Sequence, residues 1–347
     1  MNSKIDLRNC TVEELENLSV RVGDKKFRGK QMFSWIHKGV EDIDSMANLS
    51  KNLKNELKKV SYIKNMDILK VLESKLDGTR KYLLVLNDGN IVECVLMKYK
   101  HGNTICVSTQ VGCKMGCTFC ASTIGGVARN ITAGEIIGQV LTIQKDIGER
   151  ISNIVLMGSG EPLDNYEEVI KFLGIINDPL GLNIGMRNIT LSTCGIVPEL
   201  LDLAEKKIQI TLAISLHAPN NELRNKIMPV NKVYNIEKLL ETCKKYIKMT
   251  NRRVTFEYSL IRGFNDKIEH AVELSEKLKG MLCHVNLIPL NEVEERSLMG
   301  STRETAYEFQ KILKKNGIDA TVRRELGSDI DAACGQLRKS YIEKMKK

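Results

Sequence analysis

The sequence has no apolar run of the length that a membrane span requires. A transmembrane helix needs roughly 18 to 20 consecutive apolar residues, and every apolar run of this chain is far shorter. The beginning, MNSKIDLRNC, lacks the basic segment followed by an apolar segment that is typical of a signal peptide. We therefore expect a cytoplasmic protein that has no membrane partner.

The chain also lacks internal repeats and low-complexity linkers. Its hydrophobic fraction of 42% and its charged fraction of 27% are ordinary for a soluble globular enzyme. The length of 347 residues exceeds that of one compact core of average size, which predicts two or three domains.

Cysteine and positive charge are both plentiful. In a cytosolic protein, ten cysteines indicate metal binding, redox chemistry or small buried side chains rather than disulfides. The net charge of +9 favours a polyanionic partner such as a nucleic acid, although many basic proteins bind none.

Two kinds of segment precede a longer alternating pattern. Residues 11–62 look helical, and the piece from Lys25 to Trp35 alternates basic and aromatic side chains. That piece fits a nucleic-acid surface, or simply one solvated and one core face of a helix. Residues 66–109 change to short β-rich runs broken by the turn sequences Asp77-Gly78 and Asp88-Gly89.

From Thr132 onward, strand-like runs alternate with helical ones. Thr132 and Glu135 form a capping box that begins a helix. Alternation of this kind predicts βαβ units and a parallel sheet. About six units are too few for a closed eight-fold barrel. We expect an α/β fold with a partial (βα)6 barrel, whose chemistry lies at the carboxyl ends of the strands.

Three cysteines stand close together in CKMGCTFC, residues 113–120, and no fourth follows at ligand spacing. Structural zinc sites use four protein ligands and catalytic zinc sites use three with a water, so a C-x3-C-x2-C pattern without a nearby His or carboxylate is a poor zinc site. An iron–sulfur cube held by three thiolates leaves one iron open to a cofactor or substrate. The spacing of Cys113, Cys117 and Cys120 therefore favours an iron–sulfur cluster.

The segment from Cys113 to Cys120 resembles the cluster motif of the radical S-adenosylmethionine (SAM) superfamily. Further blocks are similar to the RlmN/Cfr family of radical SAM RNA methyltransferases, and together they are highly specific. These blocks are CVSTQVGC at 106–113, MGSGEP at 157–162, STCGIVP at 192–198, ISLHAP at 214–219, MPVN at 228–231, HVNLIPLN at 284–291 and DIDAACGQL at 329–337.

The resemblance implies one [4Fe–4S] cluster on the three cysteines and a SAM molecule on the open iron. The residues of the glycine–glutamate segment, MGSGEP, also favour a SAM site without the resemblance: glycines permit close backbone approach, and a carboxylate pairs with an ammonium group. On the residues alone, His217 could be a ligand or a satisfied core histidine. The implied SAM-binding residues are Gly160, Glu161, Ser192, Ser215, Leu216, His217 and Asn291.

The resemblance also implies three catalytic roles. Cys334 would carry a methyl group on sulfur, Cys106 would resolve the adduct through a transient disulfide with Cys334, and Glu93 would accept a proton. On the residues alone, Cys334 fits a small buried side chain and Glu93 an exposed strand carboxylate. No role is expected for Cys10, Cys94, Cys194, Cys243 and Cys283.

The implied reaction uses two SAM molecules. An aromatic carbon of adenine is too weakly nucleophilic for simple SN2 methylation, so a 5′-deoxyadenosyl radical takes a hydrogen from the methyl group on Cys334. The methylene radical adds to adenine and gives a protein–RNA crosslink. Proton loss and formation of the Cys106–Cys334 disulfide then release methyladenosine.

ASTIGG, GEPLDN and STCGIVP resemble the family branch that methylates adenine C2 in the peptidyl-transferase centre of 23S rRNA and in the anticodon loop of tRNA. The alternative is the Cfr-type branch, which methylates C8 and confers antibiotic resistance. Ser159 departs from the family, which more often has an apolar residue there. A flavodoxin or ferredoxin as electron donor and a monomeric state are also expected.

A non-catalytic iron–sulfur or zinc protein that binds RNA is the alternative from a different class. It explains the three cysteines and the positive charge, but not the glycine–glutamate segment or Cys334. The expected domains are a helical RNA-binding accessory domain at 1–62, a β-rich connecting segment at 63–98, the radical SAM partial barrel at 99–338 and a basic tail at 339–347.

Overall fold

The computed structural model describes residues 4–337. The expected basic tail at 339–347 and the last residue of the expected barrel domain lie outside the described residues. The strands are β1 (Ile5–Asp6), β2 (Ser61–Tyr62), β3 (Asp67–Glu73), β4 (Arg80–Val85), β5 (Ile91–Tyr99), β6 (Gly102–Cys106), β7 (Gln110–Val111), β8 (Arg129–Asn130), β9 (Ile151–Leu156), β10 (Ile189–Thr193), β11 (Thr211–Ser215), β12 (Val254–Leu260), β13 (Cys283–Pro289) and β14 (Ala320–Val322).

The described residues also form helices. They are α1 (Val12–Arg21), α2 (Arg28–His37), α3 (Lys51–Val60), α4 (Ala133–Ile147), α5 (Tyr166–Asn177), α6 (Val197–Glu205), α7 (Asn221–Ile227), α8 (Ile236–Thr250), α9 (Ile268–Leu278) and α10 (Arg303–Lys315). Within residues 4–337, none of them combines the length and the apolar composition that a membrane span needs.

A ten-stranded sheet organises this part of the chain, in the order β14-β13-β12-β11-β10-β9-β6-β5-β4-β3. The strands from β14 to β6 run parallel. Helices α4, α5, α6, α8, α9 and α10 each connect one of these strands to the next. This arrangement confirms the predicted partial (βα)6 barrel. Side chains of β11 are buried on both faces of the sheet, since the consecutive Leu212, Ala213 and Ile214 are all fully buried.

The β-rich segment extends the same sheet. Strands β3, β4 and β5 are antiparallel to one another, and β5 is antiparallel to β6. The turn glycines Gly78 and Gly89 have φ angles of +73° and +82°, a conformation that glycine adopts without steric cost. The antiparallel strands are therefore bonded directly to the first barrel strand.

The N-terminal helices share one hydrophobic core with the barrel. Helices α1 and α2 cross closely at Gly29, where a Cβ atom would lie 2.3 Å from the backbone nitrogen of Glu16. Asn9 accepts a hydrogen bond of 2.8 Å from the backbone N–H of Gly134, at the start of α4. These contacts attach the N-terminal segment to the end of the barrel where α4 begins.

The predicted capping box of α4 is present. The backbone N–H of Glu135 donates to Thr132 Oγ1 over 3.2 Å, and the backbone N–H of Thr132 donates to Glu135 Oε2 over 3.0 Å. Because α4 is the first α-helix after the cysteine segment, this cap fixes where the chain returns to the barrel.

Candidate active site

One cavity at the carboxyl ends of the barrel strands collects most of the predicted site residues. It contains about 910 Å³ of empty space, including its open side, which suits a small-molecule site. The predicted residues that line it are Cys113, Cys117, Cys120, Gly160, Glu161, Ser192, Ser215, His217, Asn291 and Cys334. Leu216 is buried outside the lining, and its backbone N–H donates to the carbonyl of Glu257.

The cysteine segment lies in an apolar environment. Cys117 packs with the buried Ile227, Met228 and Ile261. Burial raises the pKa of the Cys113 thiol to about 12. It also raises the pKa of the Cys117 thiol, which its neighbours Cys120 and Cys113 raise further. A bound metal centre would favour the thiolates and so offset this cost.

The donor set fits an iron–sulfur cluster better than a single metal ion. Within residues 4–337, no group of three His, Cys, Asp or Glu side chains could hold one metal ion. A four-iron cube is wider than an ion, so its thiolates surround a larger space. The thiols of Cys113, Cys117 and Cys120, which face one cavity, are suited to that role.

The glycine–glutamate segment packs tightly against the chain that leads from β6 to the cysteines. At Gly158, a Cβ atom would lie 2.6 Å from the carbonyl oxygen of Val107. Gly160 has a φ of +108°, and a Cβ atom there would lie 2.6 Å from the backbone nitrogen of Gln110. Only glycine permits this approach, which brings the next residue, Glu161, into the cavity.

Glu161 is a buried carboxylate, and each of its two oxygens accepts a hydrogen bond from a backbone N–H. Its Oε1 accepts from the backbone N–H of Leu163 over 3.0 Å, and its Oε2 accepts from that of Cys194 over 2.8 Å. Burial raises the pKa of Glu161, and hydrogen bonds to its side chain oppose that rise. An ammonium group in the cavity would stabilise the ionised carboxylate.

Arg224 supports the ends of two barrel strands, and the sequence carried no signal for it. This arginine is completely buried. Its Nη2 donates to the carbonyl oxygens of Cys194 and Ser215, over 2.8 and 3.1 Å. It therefore fixes the ends of β10 and β11, which carry Ser192 and Ser215.

His217 is neutral and held in place. Burial lowers the pKa of its imidazole to about 3. Its Nδ1 accepts a hydrogen bond of 2.9 Å from the backbone N–H of Ser259, so the neutral ring carries its proton on Nε2. The ring meets that of Phe119, between two of the cluster cysteines, edge to face with centroids 4.9 Å apart.

Cys334 lies on a C-terminal loop, residues 327–337, that is hydrogen-bonded to three other parts of the chain. Asn291 donates to the carbonyl of Cys334 over 3.0 Å. The backbone N–H of Ala121, beside the cluster cysteines, donates to the carbonyl of Gly335 over 2.7 Å. Lys81 on β4 donates to the carbonyl of Asp331 over 3.0 Å. These bonds hold the Cys334 side chain at the cavity wall.

Cys106 lies at the end of β6, outside the cavity lining. It packs with Ala332 and Leu337 of the C-terminal loop. Burial raises the pKa of its thiol to about 12, and the nearby Cys334 adds to the rise. Both cysteines are free thiols in this structure.

Arg323 is the cation beside these two cysteines, and sequence reasoning missed it. In the sequence ATVRRE, nothing distinguishes Arg323 from an ordinary surface arginine. In the structure, its positive charge lowers the pKa of Cys106. Its own pKa is raised, chiefly by Cys334 and also by Glu257. Its Nη1 lies 3.9 Å from Glu257 Oε2.

Glu93 does not line the cavity. It is only 3% exposed, so the alternative of an exposed strand carboxylate is wrong. Its Oε1 lies 3.9 Å from the Nζ of Lys81, the residue that also bonds the C-terminal loop. Val95 and Met97, two and four residues along the same strand, pack against Cys106 and the C-terminal loop. Glu93 thus faces the side of the sheet that carries the cysteine pair.

Comparisons with known proteins agree with this geometry. Residues 107–275 match the radical SAM superfamily, and residues 5–63 match the ribosomal RNA large subunit methyltransferase N-terminal domain. The chain is 60% identical over 340 residues to the probable dual-specificity RNA methyltransferase RlmN of Alkaliphilus oremlandii. The alignment covers 98% of this chain and 99% of that protein.

A second relative of the same name, from Clostridium novyi, is 57% identical over 97% of this chain and 98% of its own length. This chain belongs to the RlmN family. The crystal structure of a radical SAM methyltransferase from Sphaerobacter thermophilus superposes with a TM-score of 0.92 at 42% identity, covering 97% of this chain and 100% of that one. As in other radical SAM proteins, the cofactors are a [4Fe–4S] cluster and SAM. Cys113, Cys117, Cys120 and Glu161 line one cavity that could hold them.

Proposed function

We propose that this protein is a dual-specificity RNA methyltransferase that methylates C2 of adenosine in 23S rRNA and in tRNA. The observation that carries the proposal is that Cys334 shares one cavity with Cys113, Cys117 and Cys120 and with Glu161. A methyl carrier therefore stands beside the residues that would bind SAM. Membership of the RlmN family supports RNA as the acceptor.

When bound, the cluster and SAM supply one-electron reductive chemistry and the transferred methyl group. The chain's own residues supply position and charge. Glu161 offers a carboxylate to the SAM ammonium group, and His217 offers an N–H donor without adding a positive charge. The apolar walls around Cys117 keep water away from a reactive radical.

Cys106 and Cys334 are proposed as resolver and carrier. The thiol of Cys106 has a pKa of about 12, so it stays protonated at neutral pH and is a poor nucleophile. It must lose its proton as the disulfide forms, and the nearby Arg323 favours that thiolate. Glu93 is proposed to accept the proton that leaves adenine.

The N-terminal segment is proposed to bind RNA. Lys25, Lys26 and Lys30 are exposed on or just before α2. Phe27 is 48% exposed, and the guanidinium of Arg28 lies over its ring at 4.9 Å. Phe33, by contrast, is fully buried, so only part of the basic–aromatic piece forms a surface.

We further propose that the protein acts in the cytoplasm as a monomer and receives its electron from a flavodoxin or ferredoxin. The expected domain division, with an RNA-binding unit at 1–62, a connecting segment at 63–98 and a catalytic barrel at 99–338, belongs to the same proposal. The hydrogen bond between Asn9 and the start of α4 would hold the first unit against the barrel.

The test is mass spectrometry of RNA digested after incubation with the anaerobically reconstituted enzyme, SAM and a reductant. Both a 23S rRNA fragment and a tRNA are offered. C2-methyladenosine in both substrates is the expected product. C8-methyladenosine as the main product would move the protein to the Cfr-type branch, and no methyladenosine with intact cluster and SAM cleavage would refute the function.

A further inference from the structure

A second cleft reaches Cys334. It contains about 620 Å³ of empty space, including its open side. Ile288, Asn291, Arg323 and Cys334 line both this cleft and the first cavity, the one at the carboxyl ends of the barrel strands, which is called the SAM cavity below. The cysteine therefore stands in the wall between two spaces.

The chemistry of a carbon carrier requires two approaches to one sulfur. A methyl group on Cys334 must first meet the radical made from SAM and then meet the acceptor adenine. While SAM occupies the first cavity, the acceptor needs another route to the same sulfur. The second cleft is such a route among the described residues, because it is lined by Cys334 and open to solvent.

The walls of the second cleft suit a nucleotide. Its outer part includes Tyr99, which is 38% exposed, and the exposed Arg303 and Arg324. Within residues 4–337, neither Arg303 nor Arg324 has an acidic partner within 4 Å. Glu325 is the one carboxylate in the lining, so the rim is positive on balance.

Tyr99 is already oriented by a neighbour. Its ring stacks with that of His101, with centroids 5.0 Å apart and an angle of 13° between the planes. Aromatic side chains bind unstacked bases through their faces, and arginine binds phosphate with paired N–H groups. A base near Tyr99 would lie close to Cys334, since both line this cleft.

We propose that this second cleft is the entry site of the target nucleotide, where Tyr99 stacks on the adenine and Arg303 and Arg324 bind the flanking phosphates. The inference rests on the proposed function, because it takes an RNA adenosine as the acceptor. The cleft admits the base to Cys334 while SAM occupies the first cavity. The competing occupant is an acidic electron-donor protein, such as a flavodoxin, bound to the same two arginines.

The test compares three variants with matched controls. Arg303→Ala/Arg324→Ala removes the two cations, Tyr99→Ala removes the ring, and Tyr99→Phe keeps it. The control pair Arg187→Ala/Arg253→Ala removes two exposed arginines that precede β10 and β12, at the opposite end of the barrel. Tyr307→Ala removes a 51% exposed ring from α10.

An anticodon stem-loop RNA with one unpaired adenosine is the probe, and dithionite is the reductant. The double arginine variant should raise the KM for this RNA by about tenfold or more. It should also lower the slope of log affinity against log salt by roughly 1 to 2, which corresponds to two phosphate contacts. Tyr99→Ala should weaken binding by about tenfold for the adenosine RNA, and less when that base is absent, while Tyr99→Phe should match the wild type.

S-methylcysteine at Cys334, measured by peptide mass spectrometry before RNA is added, should be normal in every variant. A KM and a salt slope equal to those of the control pair would overturn the proposal. So would a defect that appears only with a flavodoxin as donor and disappears with dithionite. Fluorescence anisotropy with the same RNA tests the cleft even if the wild type makes no methyladenosine, in which case the proposed function alone fails.

Discussion

The side chain of Asn291 holds the backbone of Cys334: Nδ2 donates to the cysteine carbonyl over 3.0 Å. Asn291 follows β13 directly, so the bond joins the rim of the barrel to the C-terminal loop. Both residues line the SAM cavity and the second cleft. An asparagine that was expected to bind SAM thus holds the loop that carries the proposed methyl carrier, Cys334.

Asn291→Ala should loosen this loop without unfolding the barrel. Loss of one hydrogen bond costs about 1 kcal/mol, so we expect faster amide exchange at 327–337 and slower formation of S-methylcysteine. Asn188→Ala, an exposed residue before β10, is the control. Unchanged exchange and unchanged Cys334 methylation would show that the bond has no positioning role.

Cys113→Ala/Cys117→Ala/Cys120→Ala should abolish the cluster. In the proposed site these three thiolates are the protein ligands of the cluster, so the variant removes all of them. Iron and sulfide analysis of the anaerobically reconstituted protein is the measurement. Cys10→Ala/Cys283→Ala, which removes two buried cysteines far along the chain from the motif, should keep full cluster content. Near-full iron in the triple variant would end the assignment.

His217 should make the free energy of unfolding fall as the pH is lowered below 6.5. Its folded pKa is about 3 and its ordinary value is 6.5, so below pH 6.5 the unfolded chain binds a proton that the folded chain does not. Stability contributed by this group is therefore present above pH 6.5 and is lost as the pH falls towards 3, by about 1.4 kcal/mol per pH unit.

His217→Gln is the comparison for that prediction, since glutamine does not titrate and has an acceptor oxygen. Urea unfolding of the cluster-free proteins at pH 7.5 and at pH 5 supplies the free energies. The wild type should lose more stability than the variant over this interval. Equal losses would mean that the imidazole is not buried in its neutral form.

RNA affinity should depend on the lysines before and within α2. Lys25→Ala/Lys26→Ala/Lys30→Ala should weaken binding and lower the salt slope by roughly 2 to 3, one for each phosphate contact. Lys244→Ala/Lys245→Ala/Lys248→Ala on α8 removes three exposed lysines elsewhere and is the control. Equal slopes in both variants would reject the N-terminal RNA surface. Substitution is preferable to deletion through residue 90, which would remove β3 and β4 from the main sheet.

Local signals explain what the sequence predicts well. The capping box at Thr132 involves residues three apart, and each strand of the barrel is a short apolar run. The cysteine motif likewise lies within eight residues. These features depend on neighbours along the chain, so their residue types identify them.

The unpredicted residues act over long sequence distances. Arg224 reaches carbonyls of β10 and β11, and in its own helix it looks like an ordinary exposed arginine. Arg323 gains its role only because the sheet brings it near Cys106, more than 200 residues earlier. The burial of Glu93 likewise follows from the pairing of β5 with β4 and β6, which no local pattern reports.

The two cysteines of the proposed carrier and resolver should give different defects. Cys334→Ala should retain the cluster and SAM binding but form neither S-methylcysteine nor methyladenosine, because no sulfur remains to carry the carbon. Cys106→Ala should still form the adduct and then stall, because Cys334 stays bound to the base. Denaturing gels and mass spectrometry of the RNA-bound protein measure the adduct.

A covalent protein–RNA species should therefore accumulate in Cys106→Ala and be absent from Cys334→Ala and from the double variant. The buried Cys106 thiol, with a pKa of about 12, also predicts that release in the wild type speeds up as the pH rises, since more thiolate becomes available. Cys106→Ala should keep its adduct at every pH, because it has no thiol to displace Cys334. If both single variants lack adduct and product alike, Cys106 is structural, and its packing against Ala332 and Leu337 is then its whole contribution.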